Sequence, residues 1–151
     1  MTTKDLEILQ KNFSNIVPKD GLKEKLIYSK ENKRPLNVKL GFDPTAPELH
    51  LGHAVVLKKL KEFQDFGHTV IIIIGDFTAR IGDPTGRNKT RPPLTEEDIK
   101  INAKTYVDQL SKIIDVSKAK ICFNSKWLEK LDLMKILTLF SLNLIFLTIL
   151  S

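Results

Sequence analysis

Apolar residues fall at helical spacing in the first part of the chain and in extended runs thereafter. Residues 5–13 and 21–28 have the pattern of two short amphipathic helices, parted by the breaker Pro18. Arg34-Pro35 opens an extended run, Leu36-Asn37-Val38-Lys39-Leu40, which stops at Gly41. The turn-rich stretch Asp43-Pro44-Thr45-Ala46-Pro47 then leads into a helix over about residues 51–66. Val56, Leu57, Leu60 and Phe63 share one face of that helix, and Gly67 is its stop. Val70-Ile71-Ile72-Ile73-Ile74 is the clearest strand. A β-branched run without alternation predicts burial on both faces, as in a parallel sheet.

This strand ends at Gly75-Asp76, and a loop rich in Gly, Pro and Thr runs on to Pro93. Thr95, with Asp98 three residues later, marks a helix start, and Ile99, Ala103, Tyr106, Leu110 and Ile113 form its buried stripe. Residues 120–123 make a third short strand, and Ser125 is placed to cap a helix beginning near Trp127. Strand, helix, strand, helix, strand predicts an open parallel α/β sheet. Ligands of such sheets bind where strand ends meet helix starts. Both glycine-containing loops, after Leu40 and after Ile74, leave the carboxyl ends of their strands.

Composition narrows the picture further. A chain of 151 residues, 42% of them hydrophobic, supports one globular core rather than two. The net charge of +6 suits a polyanionic partner, although lysines on solvated helix faces give the same excess. The single cysteine, Cys122, cannot form an internal disulfide and is expected to be a buried, inert thiol of a reducing compartment. The first residues lack the apolar core of a signal peptide, so a cytoplasmic location is expected. Residues 136–150 carry no charge, yet they are fewer than the roughly 20 apolar residues of a membrane-spanning helix. A buried helix, a tail anchor and a non-native end are the readings of that segment, and no membrane partner is expected.

The most informative stretch runs from Gly41 to His53. It puts two imidazoles, His50 and His53, at the first turn of a helix with Gly52 between them. Free backbone N–H groups and the helix dipole make such an end attractive to phosphate. The histidines add directed donors, and Gly52 lets a flat ligand approach the backbone. Two histidines three apart can also ligate metal, but no third ligand stands at suitable spacing, so no metal site is expected.

His50-Leu51-Gly52-His53 resembles the His-Ile-Gly-His signature of class I aminoacyl-tRNA synthetases. The preceding Gly41-Phe42-Asp43-Pro44-Thr45-Ala46 is similar to the tyrosine-specific family, the tyrosyl-tRNA synthetases. Ile81-Gly82-Asp83-Pro84-Thr85-Gly86-Arg87 resembles that family's Ile-Gly-Asp-Pro-Ser-Gly-Lys loop. The first signature alone occurs in other nucleotidyl transferases, whereas the two loops together are far more specific. The resemblance covers roughly residues 36–140. It implies a partial Rossmann-like, doubly wound parallel sheet over residues 36–140, with a helical segment at 1–35 and a non-family apolar tail at 141–151.

The resemblance also implies roles. Thr45 and His50 would contact the ATP phosphates and stabilise the transition state; Gly41, Asp43, Gly52 and His53 would line the adenosine pocket. Asp83 would pair with the ammonium group of the amino acid, and Arg87 and Arg91 would grip pyrophosphate. The reaction is attack of the tyrosine carboxylate on the α-phosphate of ATP, followed by transfer of the tyrosyl group to the terminal ribose of tRNA-Tyr. Mg2+ would be bound through the phosphates, and the family enzyme is a homodimer.

Two departures stand out. In one branch of the family a tyrosine ahead of the Gly-Phe-Asp phrase helps bind the substrate phenol; here Lys39 holds that position, with Leu40 where a cysteine is common. Another branch carries Lys-Leu, which keeps Lys39 a substrate-binding candidate. The Tyr/Gln/Asp segment, the Lys-Met-Ser-Lys-Ser type loop and an anticodon-binding domain have no counterpart in this sequence. The expectation is therefore a truncated fragment, inactive by itself, whose tail arises from a frameshift or premature stop. Two further readings are a non-catalytic nucleotide- or RNA-binding module and another His-x-Gly-His nucleotidyl transferase. Asp83 argues against the latter, since an ammonium partner is specific to amino acid substrates.

Overall fold

The computed structural model describes residues 3–80 and 94–149. Two helices come first, α1 (Thr3–Gln10) and α2 (Gly21–Glu31). Then follow β1 (Asn37–Phe42), α3 (Leu51–Asp65), β2 (Thr69–Ile74), α4 (Glu96–Leu110) and β3 (Lys120–Phe123). A single turn of helix, α5 (Ser125–Leu128), and the longer α6 (Leu133–Ile149) complete the order. The sheet is parallel throughout, in the order β1-β2-β3. Phe42 lies beside Ile74, and Ile74 beside Phe123, so all three strands end level.

Among the described residues the two crossover helices, α3 and α4, share one face of the sheet. Leu57 and Leu60 from α3 and Ala103, Tyr106 and Leu110 from α4 bury Phe42, Val70, Ile72 and Ile74 in one cluster. A smaller cluster, Leu9, Leu26 and Phe63, seats α1 and α2 on the far end of α3 beside Val38. Gly67 ends α3 with a φ of +82°, a left-handed conformation in which a side chain is disfavoured, and His68 N–H caps back to Phe63 O at 3.0 Å.

Several local expectations need correction. Ile71 and Ile73 are only half-buried, while their neighbours Val70, Ile72 and Ile74 are buried. The strand alternates because the described helices cover one face, which a uniform Ile run cannot reveal. Val56 is exposed, and Ile113 lies beyond the end of α4 and is half-buried. Cys122 is likewise half-buried. Asn124, not Ser125, holds the cap position of α5; Ser125 is the first helical residue. The uncharged segment that begins at Ile136 is helical as far as Ile149, within α6. Thr95 behaves as expected: its hydroxyl accepts Asp98 N–H while the Asp98 carboxylate accepts Thr95 N–H, a reciprocal box.

Candidate nucleotide-binding site

The chemistry-bearing residues collect at the carboxyl ends of the three strands. The ladder runs one residue past each pair, with Gly75 N–H donating to Phe42 O at 2.7 Å and Asn124 N–H to Ile74 O at 2.9 Å. Side chains then knit the three loops together. The buried Asn124 amide donates through Nδ2 to Thr78 Oγ1 at 3.0 Å and accepts Phe77 N–H at 2.9 Å. The Thr78 hydroxyl donates to Asp43 Oδ1 at 2.7 Å. From the next position, the Asp76 carboxylate accepts both the N–H and the hydroxyl of Ser125, at 3.0 and 2.7 Å. A carboxylate from the end of β2 thus caps α5 across the sheet.

Gly75 is what lets this network close. A Cβ there would stand 1.8 Å from Asp43 Oδ1 and 2.5 Å from Thr78 Oγ1, so no larger residue fits without moving the carboxylate. Sequence reasoning identified Asp43 but missed Gly75, Thr78 and Asn124. The glycine directly after an apolar strand was their one available signal.

His50 occupies the cap position of α3, and its Nδ1 accepts Gly52 N–H at 3.1 Å. In return, His53 Nδ1 accepts His50 N–H at 3.2 Å. The rings stack with centroids 3.8 Å apart and 23° between planes, and His53 meets the Phe42 ring edge-on at 5.4 Å. With Nδ1 accepting, the proton of each neutral ring sits on Nε2. Among the described residues two Nε2–H donors are therefore free for a ligand at the helix start. Partial burial, and then the neighbouring His50, lower the pKa of His53 below its ordinary value. Protonating either ring on Nδ1 would break the bond that orients it.

Gly52 has a structural reason as well. A Cβ there would lie 3.0 Å from His50 Cε1 and Nδ1, so its absence lets the ring fold back over the first turn. Gly41 differs: among the described residues a Cβ would meet only Ile73 O, at 3.9 Å. Among the described residues that position is open. Thr45 is half-buried in the loop, its N–H donating to Asp43 O at 2.7 Å.

The structure thus brings Asp43, Thr45 and His50 of the β1–α3 connection together with Gly52 and His53 of the first turn of α3. Lys39 is exposed on β1, in register with Ile71, on the sheet face turned away from α3. It does not join the imidazole pair. Asp83, Arg87 and Arg91 lie outside the described residues. Just ahead of that stretch, Arg80 bridges Glu96 at the start of α4 and Glu129 after α5, at 3.1 and 3.4 Å. Among the described residues no group of three or more His, Cys, Asp or Glu could hold a metal ion.

Comparison with known proteins gives this geometry a family. A family model described as tRNA synthetases class I (W and Y) matches residues 30–144. The tyrosine–tRNA ligase of Carboxydothermus hydrogenoformans is 55% identical over 138 residues, which are 91% of this chain and 34% of that protein. Tyrosine–tRNA ligase 2 of Photorhabdus laumondii is 51% identical over 138 residues, 91% of this chain and 35% of its own length. The chain spans about a third of the length of these relatives. In fold it is similar to the tyrosyl-tRNA synthetase of Archaeoglobus fulgidus, solved with L-tyrosine, at a TM-score of 0.69 and 24% identity, covering 89% of this chain and 38% of that one. The Rossmann-like sheet, the paired histidines at its edge and the match over residues 30–144 agree: this chain belongs to the class I tRNA synthetases of the tryptophan and tyrosine group.

Proposed function

We propose that this chain is the ATP-binding part of a tyrosine–tRNA ligase, which activates tyrosine with ATP and passes it to tRNA-Tyr. The observation that carries this reading is the His50–His53 pair, stacked at the start of α3 with both Nδ1 atoms engaged and, among the described residues, both Nε2–H groups free. Such donors suit a phosphate better than a metal, since each Nε2 already carries the proton.

In this reading His50 and the Thr45 hydroxyl meet the α-phosphate as the tyrosine carboxylate oxygen attacks it. The P–O bond to pyrophosphate breaks as the new one forms, and Arg87 and Arg91 take up the leaving charge. The site contributes position and charge stabilisation rather than a nucleophile. Gly41, Asp43, Gly52 and His53 surround the adenosine, while Asp83 pairs with the substrate ammonium. Lys39 faces the opposite side of the sheet from the histidines and is assigned to the amino acid side. Mg2+ arrives on the ATP phosphates, because it takes oxygen ligands and the imidazoles here offer N–H donors. The nucleotide-binding unit is residues 36–140, with 1–35 as a helical lead-in and 141–151 as a tail. The whole enzyme is a cytoplasmic homodimer, and no helix of the described residues is long and apolar enough to cross a membrane.

The test is exchange of labelled pyrophosphate into ATP by the whole ligase that contains this chain. Exchange should require tyrosine, and His50→Ala combined with Thr45→Ala should slow it by about 3 kcal/mol of barrier or more. Exchange driven by tryptophan instead would refute the tyrosine assignment. A loss in the double variant confined to tyrosine affinity would refute the roles of His50 and Thr45.

A further inference from the structure

The loop that carries Thr45 and His50 has little means of holding its own shape. It contains two prolines, Pro44 and Pro47, which donate no N–H, and it lies outside the sheet ladder. Thr78 and Thr45 hold its first residue, Asp43, and the hold on the rest comes from α4. Asn102, a buried residue, donates Nδ2–H to Pro44 O at 3.0 Å. Gln109, seven residues along and so on the same side of the helix, donates Nε2–H to Pro47 O and accepts Leu49 N–H through Oε1, each at 2.9 Å. That amide grips the loop at both ends of a three-residue span, and the span stops one residue before His50. The Leu49 side chain packs against the core, which anchors the same point from the other side.

From this geometry we infer that Gln109, seconded by Asn102, is a positioning residue: it sets the direction of the His50 imidazole by holding the backbone that leads into it. The inference rests on the functional reading above only in what His50 is aimed at, a phosphate. Neither amide belongs to the apolar stripe of α4 formed by Ile99, Ala103, Tyr106 and Leu110, so removing Gln109 leaves the packing of α4 on the sheet in place. What it frees is the loop. His50 then loses the fixed approach that lets Nδ1 receive Gly52 N–H.

Nitrogen-15 spectra of the imidazoles in the 151-residue chain read this directly. The chain has three histidines, and the third, His68, accepts Leu36 N–H on Nδ1 at 3.3 Å, away from the loop, so it serves as an internal control. In the wild type all three should show the Nε2–H tautomer. Gln109→Ala should shift His50 toward the mixture of a free imidazole and weaken binding of Mg2+·ATP, used as the probe, by about tenfold, the scale of one hydrogen bond to a charged group. His68 should not change. Gln109→Glu keeps the acceptor for Leu49 N–H and should restore most of the His50 signature. An unchanged His50 in Gln109→Ala would overturn the inference, as would a wild-type His50 already in mixture. A change at His68 as large as at His50, or a Glu variant no better than Ala, would overturn it too. Should the spectra behave as expected while the whole ligase that contains this chain ignores ATP, the functional reading fails and the hold of Gln109 on the loop stands.

Discussion

Gly75→Ala tests the closed network at the strand ends. The added methyl would stand 1.8 Å from Asp43 Oδ1 and 2.5 Å from Thr78 Oγ1, so one of the two must leave. The Gly75 backbone cannot retreat easily, since its N–H is bonded to Phe42 O at 2.7 Å. Asp43 is exposed and can rotate away, which breaks its 2.7 Å bond from Thr78. Losing a hydrogen bond to a carboxylate costs about 1.5–3 kcal/mol. Strain from the residual overlap brings the total to roughly 2–4 kcal/mol. At a typical urea slope of about 1–2 kcal/mol per molar, the unfolding midpoint should fall by about 1 M or more. Trp127 is the only tryptophan and its N–H bonds to Asn124 O at 3.2 Å, so its fluorescence reports on this corner during the melt. Asp43→Ala removes the atom that the methyl strikes. The double variant should therefore be less destabilised than the sum of the singles, by about 1 kcal/mol or more. Strict additivity, or a Gly75→Ala midpoint equal to wild type, would show that the close approach is not real.

Other expectations follow from the same structure. His53 should titrate below 6.5, for burial and the neighbouring His50 both disfavour its charged form. A base whose folded pKa is depressed binds more protons when unfolded, so stability should hold above about pH 6.5 and decline as pH falls through that value, levelling off below the folded pKa. An NMR titration placing His53 above 6.5 would contradict the stacked geometry. Thr95→Ala should cost about 1 kcal/mol through loss of the cap on α4, and should let the Asp98 carboxyl titrate higher, since the Thr95 hydroxyl is the first cause of its lowered pKa. Residues 141–151 carry no charge and are mostly apolar, so deleting them should raise the soluble yield of the chain without conferring tyrosine-dependent exchange. Equal yields of the two forms would refute the solubility argument.

The strands, the crossover helices and the imidazole pair were legible because each leaves a local mark. A β-branched run marks β2, an i, i+3 box marks the start of α4, and a His-x-Gly-His phrase marks α3. What escaped was relational. Nothing near Thr78 or Asn124 in sequence says that they meet each other and Asp43, since level strand ends are a property of register. Gln109 looks like an ordinary polar residue of a helix until the loop it holds is in view. The half-buried side of β2 was hidden for a different reason: isoleucine is compatible with either degree of cover, so its presence cannot distinguish them.

Level strand ends also decide where the gene can change length. Losing a single codon within Thr69–Ile74 would put the two parts of the strand out of phase, so that either the buried valine or isoleucines leave the core or Gly75 leaves the carboxylate it must clear. The stretch between α1 and α2 carries no such coupling, because the exposed Asn12, Phe13 and Ser14 neither pair with the sheet nor touch the strand ends. Insertions and deletions among descendants of this gene should therefore gather there and in other connections remote from the strand ends, and be purged from β2.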